Sequence, residues 1–185
     1  MKKREIDFKD IISAKDIENG NIIVLAGRPA MGKTSTCCEL AKVFSKKFNY
    51  LFFDLASNGF YIYLKHKIVA YSFMSSLVII KKIEDEIAKN EVKLIFIDYW
   101  QLLNDKSEWF ILKLREISIH HKVVFVISLQ LGRKVENRKK HLPTRKDIKR
   151  VFNHYVKKLV VLFSPAKYSP VQTNNDLKFV EYHLN

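Results

Sequence analysis

The segment at positions 27–34 reads Gly27-Arg28-Pro29-Ala30-Met31-Gly32-Lys33-Thr34 and fits the pattern G-x-x-x-x-G-K-[ST] at every fixed position. It follows the apolar run Ile22–Ala26. After it, from Ser35 to Lys47, apolar residues recur at spacings that suit one face of a helix. A strand, a glycine loop and a helix in this order are the context that the pattern requires. The segment therefore predicts a nucleotide-binding loop.

Each residue type in this loop has a role toward a nucleotide. Glycine lets the backbone N–H groups close around phosphate oxygens, and the start of the following helix adds positive partial charge. We expect Lys33 to reach the β- and γ-phosphates and Thr34 to offer its hydroxyl to Mg²⁺, so that ATP and Mg²⁺ are the cofactors. The residues assigned to the nucleotide are Gly27, Arg28, Pro29, Ala30, Met31, Gly32, Lys33, Thr34 and Ser35.

Length and composition predict one globular domain. The chain has 185 residues, of which 48% are hydrophobic and 12% aromatic, which argues against disorder. We expect a lead-in segment over residues 1–20 and a single domain over residues 21–185. The formal net charge of +14 favours a polyanionic partner such as nucleic acid. A lysine-rich proteome explains that charge equally well.

The cysteines and the hydropathy pattern predict a cytoplasmic protein. Cys37 and Cys38 are adjacent on the predicted helix, where their side chains diverge, so they indicate buried thiols rather than a disulfide or a metal site. The N-terminus lacks the apolar core of a signal peptide. The most apolar region, residues 60–80, is interrupted by Lys65-His66-Lys67 and falls short of a membrane span.

Apolar runs and turn signals predict strands that alternate with helices, which indicates an α/β fold with a mostly parallel sheet flanked by helices. Helices are expected over residues 6–20, 35–47, most of 57–90, and 107–120. Further strands are expected at 49–55, 92–98, 123–128, 158–163 and 177–184. The last of these alternates as an edge strand does. Ligands in such a sheet lie outside the carboxyl ends of the strands.

Asp98 closes the apolar strand 92–98 downstream of the glycine loop. From this position a carboxylate helps to hold Mg²⁺ through the water shell of the metal. An aspartate at the end of a strand is also a common helix cap or turn residue. Because the glycine loop is present, we assign Thr34 and Asp98 to the magnesium.

Three segments together resemble the C-terminal RecA-like motor domain of DnaB-type replicative helicases: Arg28–Thr34, Ile97–Leu103 and Gln130–Arg133. The resemblance extends over about residues 15–165 and continues through Glu136, Arg138, Pro143 and Asp147. It implies a RecA-like P-loop fold in which Lys33 and Asp98 are catalytic and Gln130 senses the γ-phosphate. It also implies a homo-oligomeric ring, or association with a replicative helicase, as the assembly.

The resemblance further implies single-stranded DNA as a partner. Residues 133–150 contain nine Lys/Arg residues, and in the family this segment lies at the central channel that grips DNA. A basic segment suits contact with the phosphate backbone, although a solvated basic loop is equally compatible with the sequence. The residues assigned to nucleic acid are Arg133, Lys134, Arg138, Lys139, Lys140, Arg145 and Lys146.

The chain departs from the family pattern at the catalytic base. Where the family carries a glutamate that activates water, the matching segment Asp54-Leu55-Ala56-Ser57 has Ala56. Asp54 lies on the same face of the strand but about 6.6 Å away along it, so it is an imperfect catalytic substitute. The family's acidic stretch is replaced by Tyr155–Leu159, and no Lys/Arg finger follows Lys178. Hydrolysis is therefore expected to be weak or absent.

Two main hypotheses follow from these residues. The first is a minimal DnaB-like ATP-binding motor domain that acts on single-stranded DNA in replication or in a mobile element. The second is a hydrolysis-deficient helicase paralogue that serves as a nucleotide- or DNA-binding accessory protein, which Ala56 and the missing finger favour. A small-molecule kinase ranks last, because no phosphate-acceptor site is recognisable.

Overall fold

The computed structural model describes residues 3–55, 68–70, 75–103, 107–132, 147, 150–163 and 177–183. Its strands are β1 (Lys3–Ile6), β2 (Asn21–Gly27), β3 (Tyr50–Asp54), β4 (Ile68–Ala70), β5 (Leu94–Asp98), β6 (Val124–Gln130), β7 (Lys158–Phe163) and β8 (Lys178–His183). Its helices are α1 (Ala14–Asn19), α2 (Lys33–Phe44), α3 (Ser76–Asn90), α4 (Glu108–His121) and α5 (Arg150–Tyr155). Two short 3-10 turns lie at Phe8–Asp10 and Trp100–Leu102.

The eight strands form one sheet in the order β1-β8-β7-β2-β6-β5-β3-β4. From β7 to β4 every neighbouring pair is parallel, whereas β8 is antiparallel to both β7 and β1. This arrangement confirms the predicted α/β fold with a mostly parallel sheet. The carboxyl ends of β2, β6, β5 and β3 therefore lie along one edge of the sheet, where ligands of such folds bind.

The core has two apolar layers, one on each face of the sheet. Because side chains alternate along a strand, Ile22 and Val24 of β2 belong to one layer, while Ile23 and Leu25 belong to the other. Helices α3, α4 and α5 cover the first layer, and α2 covers the second. All four of these β2 side chains are fully buried, as expected of a parallel strand covered on both faces.

The helix predicted over residues 6–20 is wrong in its extent, because only Ala14–Asn19 is an α-helix. Ser13 determines where this helix begins. Its hydroxyl accepts a hydrogen bond from the Asp16 backbone N–H at 3.3 Å, and its own N–H donates to the Asp16 carboxylate at 2.8 Å. This reciprocal capping box satisfies the first backbone donors of α1. The residues before it form β1 and a 3-10 turn instead.

Two strand assignments also differ from the sequence expectation. The strand predicted at the C-terminal edge, β8, is covered on its outer side by β1, so the sheet extends one strand further. Arg4 of β1 donates to Glu181 of β8 at 2.5 Å across this pair. At the opposite edge, β4 lies within the region predicted to be mainly helical, and α3 begins only after Ser75.

Gly20 ends α1 in a conformation that other residues rarely adopt. Its φ is 69° and its ψ is 141°, a region that is essentially restricted to glycine. A Cβ at this position would lie 1.9 Å from the backbone oxygen of Ser118. The glycine therefore allows α1 to approach α4 closely before the chain enters β2.

The cysteines are free thiols, with Cys37 buried and Cys38 half-buried. This arrangement agrees with the expectation that they form neither a disulfide nor a metal site. Within the ranges given above, no helix combines the length and the apolarity that crossing a membrane demands.

Candidate nucleotide-binding site

The glycine loop lies between β2 and α2, at the carboxyl end of a central strand. β2 ends at Gly27, α2 begins at Lys33, and β2 is paired on one side with β6 and on the other with β7. The strand–loop–helix context predicted for the segment is therefore present. All nine residues assigned to the nucleotide, 27–35, belong to this loop or to the ends of the two elements that flank it.

The backbone of the loop is tightly curved. Gly32 has φ 76° and Ala30 has φ 58°, both in the left-handed region. The Met31 N–H donates to the Arg28 carbonyl at 3.3 Å, which closes a turn inside the loop. Backbone segments that alternate between left-handed and right-handed conformations form concave sites where N–H groups bind anions. The loop thus has the backbone shape that phosphate binding requires.

Lys33 is held against the loop. Its side chain is mostly buried, with 8% exposure, and its ammonium donates to the Arg28 carbonyl at 2.9 Å. A buried ammonium needs hydrogen-bond acceptors, because an uncompensated charge away from water is costly. The position of Nζ over the loop is suited to phosphate oxygens, which would accept from the same ammonium.

Thr34 and Asp98, the two residues assigned to magnesium, are in direct contact. The Thr34 hydroxyl donates to one carboxylate oxygen of Asp98 at 2.7 Å. The Ser128 hydroxyl donates to the other oxygen, and Asp98 is fully buried. These partners fix the orientation of the carboxylate at the carboxyl end of β5, facing the start of α2.

The chemistry of this pair fits magnesium. Mg²⁺ prefers oxygen ligands and keeps several waters, so it needs only one or two protein groups in addition to nucleotide phosphates. The Thr34 hydroxyl and the Asp98 carboxylate are such groups. In the part of the chain that the structure describes, no cluster of three or more His, Cys, Asp or Glu side chains could hold a metal by itself. A metal shared with a nucleotide therefore suits this site better than a protein-only cage.

Asp54 lies beside Asp98. The two residues are in register on the adjacent parallel strands β3 and β5, and the Leu55 N–H donates to the Asp98 carbonyl at 2.7 Å. Burial first, and then the charges of Asp98 and Asp54, raise the pKa of the Cys38 thiol to about 11. The carboxylate of Asp54 is itself only 2% exposed. Ala56, which occupies the position of the family's glutamate, lies outside the described residues.

Gln130 ends β6 opposite Gly27 and is exposed. Its backbone is held on both sides by one side chain: the Gln101 amide nitrogen donates to the Gln130 carbonyl at 2.7 Å, and the Gln101 amide oxygen accepts from the Gln130 N–H at 3.1 Å. The next N–H, that of Leu131, donates to the Gly27 carbonyl at 2.9 Å. The segment after β6 is therefore bonded to the end of the P-loop strand.

Ser128 and Gln101 are site residues that sequence reasoning did not single out. Ser128 is the polar residue in the apolar run 123–128, and that interruption near the end of a strand was the available signal. Gln101 lies within the Ile97–Leu103 segment, but the sequence alone did not indicate which backbone its amide would contact. Both residues position other groups of the site rather than reaching outward themselves.

The residues assigned to nucleic acid fall outside the described ranges. Residues 133–146 are not described, so the structure gives no position for the seven assigned residues: Arg133, Lys134, Arg138, Lys139, Lys140, Arg145 and Lys146. Their assignment stays a prediction. What the structure does describe is the start of this segment, since Leu131 is bonded to the P-loop strand.

Comparison with known proteins gave matches among solved structures only. No protein-family model matches the chain, and no curated protein matches it by sequence. The ATPase domain of one DnaB-like helicase superposes with a TM-score of 0.65 at 20% identity, over 85% of this chain and 74% of that domain. A second DnaB-like replicative helicase, solved for its interactions with primase, gives 0.68 at 18% identity, over 86% of this chain and 52% of that one.

A third structure, the KaiC-like protein PH0186 from Pyrococcus horikoshii OT3, gives a TM-score of 0.61 at 18% identity, over 100% of this chain and 90% of that protein. This chain thus spans about half the length of the replicative helicase that it matches. Identities this low establish the fold and not the activity. The chain has the RecA-like P-loop fold found in the ATPase domains of DnaB-like helicases and in KaiC-like proteins.

Proposed function

We propose that this chain is a DnaB-helicase-like P-loop domain that binds Mg-ATP and single-stranded DNA in the cytoplasm, in DNA replication or in a mobile element. The observation that carries the proposal is the 2.7 Å hydrogen bond from Thr34 to Asp98, which joins the P-loop helix to the acid that ends β5. In a RecA-like fold these two groups belong on the metal side of a nucleotide. Lys33 and the loop amides would then hold the phosphates.

The roles of the site residues follow from their positions. Mg²⁺, when bound, neutralises phosphate charge and bridges phosphate oxygens. Asp98 orients the magnesium side of the site, with Ser128 fixing its carboxylate. Lys33 binds phosphate. Gln130 would report the state of the γ-phosphate, and because Gln101 clamps the Gln130 backbone, a displacement there would pass to the basic segment that follows.

Partners are proposed on the same basis. The basic segment 133–150 begins directly after Gly132, at the carboxyl edge of the sheet where the nucleotide would bind. This placement suits an element that exchanges force between nucleotide and DNA. A ring of identical subunits, or association with a replicative helicase, would allow several such segments to surround one strand.

The DNA-binding part of the proposal is tested by salt dependence. We expect the protein to bind an oligo-dT strand with an affinity that falls steeply as salt rises, because each neutralised phosphate releases counterions. Reversing the charge of Lys134, Arg138, Lys139 and Lys140 to glutamate should weaken binding and reduce the log–log salt slope by roughly 0.7 for each phosphate that is no longer neutralised. Fluorescence anisotropy at several ionic strengths measures both quantities.

Lys81→Glu with Lys89→Glu is the matched control, since both lysines are exposed on α3. These reversals alter net charge without touching the basic segment, so they should leave the slope nearly unchanged. An affinity that does not depend on salt, or an equal effect of the control, would show that the segment is only solvated surface.

A second candidate function is the hydrolysis-deficient paralogue, which the 2% exposure of Asp54 favours beside the alanine at position 56. A buried carboxylate that is too far along the strand does not reach an attacking water well. Loss of a general base typically lowers a rate by roughly 10²- to 10⁴-fold. We therefore expect very slow steady-state ATP hydrolysis, with or without single-stranded DNA, and a gain in rate for Ala56→Glu.

Asp54→Asn separates the two candidates. If the paralogue hypothesis is right, this variant leaves the residual rate of ATP hydrolysis almost unchanged, provided that nucleotide binding is checked to be intact. A wild-type rate typical of active helicases that Asp54→Asn eliminates would make Asp54 the base and would favour the motor.

A further inference from the structure

A second cavity lies at the amino ends of the strands, away from the candidate nucleotide-binding site. It has a volume of about 650 Å³ and is bordered by β1, α1, α4 and the starts of β2 and β7. β2 runs from this cavity, at Asn21, to the P-loop, at Gly27, which separates the two by about 20 Å along seven strand residues. The two sites therefore share the central strand but no residues.

The carboxylates in the wall of this cavity are already neutralised. Asp16 accepts hydrogen bonds from Ser13 and from Asn21, at 2.7 Å, and lies 3.1 Å from the ammonium of Lys158. Glu181 lies 3.5 Å from the same ammonium and 2.5 Å from Arg4. Two acids are thus matched by two cations, and the Asp16, Glu181 and Lys158 side chains are almost fully buried.

The hydrogen bonds also keep Asp16 ionised. Burial alone would raise the pKa of this carboxyl, but the hydrogen bonds from Ser13 and Asn21 and the charge of Lys158 outweigh it and lower the pKa below its usual value. Lys158 is therefore committed to a permanent anion within the wall. It is not the group that would receive a ligand.

Three further cations line the cavity without a carboxylate partner. Lys15 and Lys157 are exposed at its rim, and Arg115 is half-buried on α4. Among the described residues, none of the three forms an ion pair. The Nη1 atom of Arg115 is buried and has no hydrogen-bond partner there. Burial lowers the pKa of this guanidinium, with no opposing charge to offset the loss of solvation.

A guanidinium nitrogen that is buried without an acceptor is a group that gains from an incoming anion. Arginine presents a planar fork of donors that matches the oxygens of a phosphate, and such bonds are stronger than those between neutral groups. Lys15 and Lys157 would add point charges from two other segments of the chain. The surplus of three cations therefore gives the cavity both a charge and a geometry that favour phosphate.

We propose that this cavity binds a small phosphate-bearing anion, held by Arg115 from α4, Lys15 from α1 and Lys157 before β7. Its volume lies within the range of about 300–1,000 Å³ that small-molecule sites have. Four separate elements enclose it, and two neutralised acids form part of its wall, which suits a compact anion better than the continuous backbone of a nucleic acid. The exposed side chain of Ile119 at the rim would accept an apolar group attached to the phosphate.

The test uses inorganic pyrophosphate as the probe and ¹⁵N-labelled full-length protein in a nuclear magnetic resonance titration. The amides of Gly20 and Asn21 report on the cavity, and the amide of Gly32 reports on the P-loop, so the two sites are read separately in one experiment. We expect Gly20 and Asn21 to shift with a saturation curve of their own. Arg115→Met should weaken the affinity measured at these amides at least tenfold and leave that at Gly32 unchanged.

Lys81→Met is the matched control, because this lysine is exposed on α3 outside the cavity and its loss removes the same charge. It should change neither curve by more than about twofold. If Arg115→Met disturbs the fold, Lys15→Glu with Lys157→Glu replaces it, since both lysines are exposed, and it should weaken the same curve.

Either of two results would overturn the proposal. One is a Gly20 signal that does not respond to millimolar pyrophosphate, or that responds equally in the cavity variants and in Lys81→Met. The other is a Gly20 signal that shifts with oligo-dT and not with pyrophosphate, which would identify a nucleic-acid surface in place of a small-anion site. Because Gly32 is followed independently, failure of nucleotide binding at the P-loop would not be mistaken for either result.

Discussion

Replacing Lys33 with alanine is expected to abolish measurable binding of Mg-ATP. The ammonium is held over the glycine loop by the Arg28 carbonyl, where it would donate to both the β- and γ-phosphates. A hydrogen bond to a charged group contributes about 1.5–3 kcal/mol, so the loss of two should weaken binding by about 10²- to 10⁴-fold. Isothermal titration calorimetry with Mg-ATP measures the effect directly.

Lys42→Ala is the control for this substitution. Lys42 lies on the same helix, is exposed, and has only a 3.9 Å ion pair with Glu39. It should bind nucleotide as the wild type does. Thermal unfolding of Lys33→Ala, without nucleotide, shows whether the loop still folds. Equal nucleotide affinity in the wild type and in Lys33→Ala would remove the basis for a P-loop site.

Replacing Gly20 with alanine is expected to destabilise the fold by roughly 2–6 kcal/mol. About 1–3 kcal/mol comes from forcing a side chain into a glycine-restricted backbone conformation, and a similar amount from overpacking. The neighbour cannot retreat easily, because the Ser118 carbonyl that a Cβ would meet at 1.9 Å already accepts from the Val123 N–H at 3.1 Å. Urea denaturation should show a lower midpoint at unchanged slope.

Gly132→Ala provides the comparison. A Cβ added to Gly132 would meet no atom within 4 Å, and its φ is not positive. We expect a change within about 0.5 kcal/mol, as is usual for surface positions without special contacts. A Gly20→Ala midpoint equal to that of Gly132→Ala would show that α1 shifts away from α4 without cost.

The central part of the fold was predictable because its signals are local. β2, β5 and β6 are continuous apolar runs, and the loop pattern between β2 and α2 occupies eight consecutive residues. Apolar runs of this kind indicate strands buried on both faces, and only a parallel sheet covered by helices offers many such positions. The contact of Thr34 with Asp98 followed from the family pattern together with this topology.

The outer part of the sheet was not predictable in the same way. The sequence of β1, Lys-Arg-Glu-Ile, is short and charged, and its pairing with β8 joins residues 3–6 to residues 179–182. No local period encodes a partner at that distance. The capping signal of Ser13 with Asp16 was present in the sequence, but it was absorbed into a longer helical pattern over residues 6–20.

The candidate site shows the same division. The pattern located Lys33, Thr34 and Asp98, whereas the bonds that position them depend on strand register. Ser128 reaches Asp98 because β6 lies beside β5, and Gln101 reaches the Gln130 backbone across a turn. Such contacts between side chains on neighbouring strands become visible only once the sheet order is known.

The pairing of β1 with β8 implies a delay during translation. Residues 3–6 leave the ribosome early, yet the strand that they pair with, Lys178–His183, emerges last among the described elements. At a synthesis rate of about 5–20 residues per second, this interval lasts roughly 10–30 s. Throughout it the nascent chain has an unpaired β7 edge and an unpaired first strand, so binding by a chaperone before release would protect this half of the sheet from aggregation.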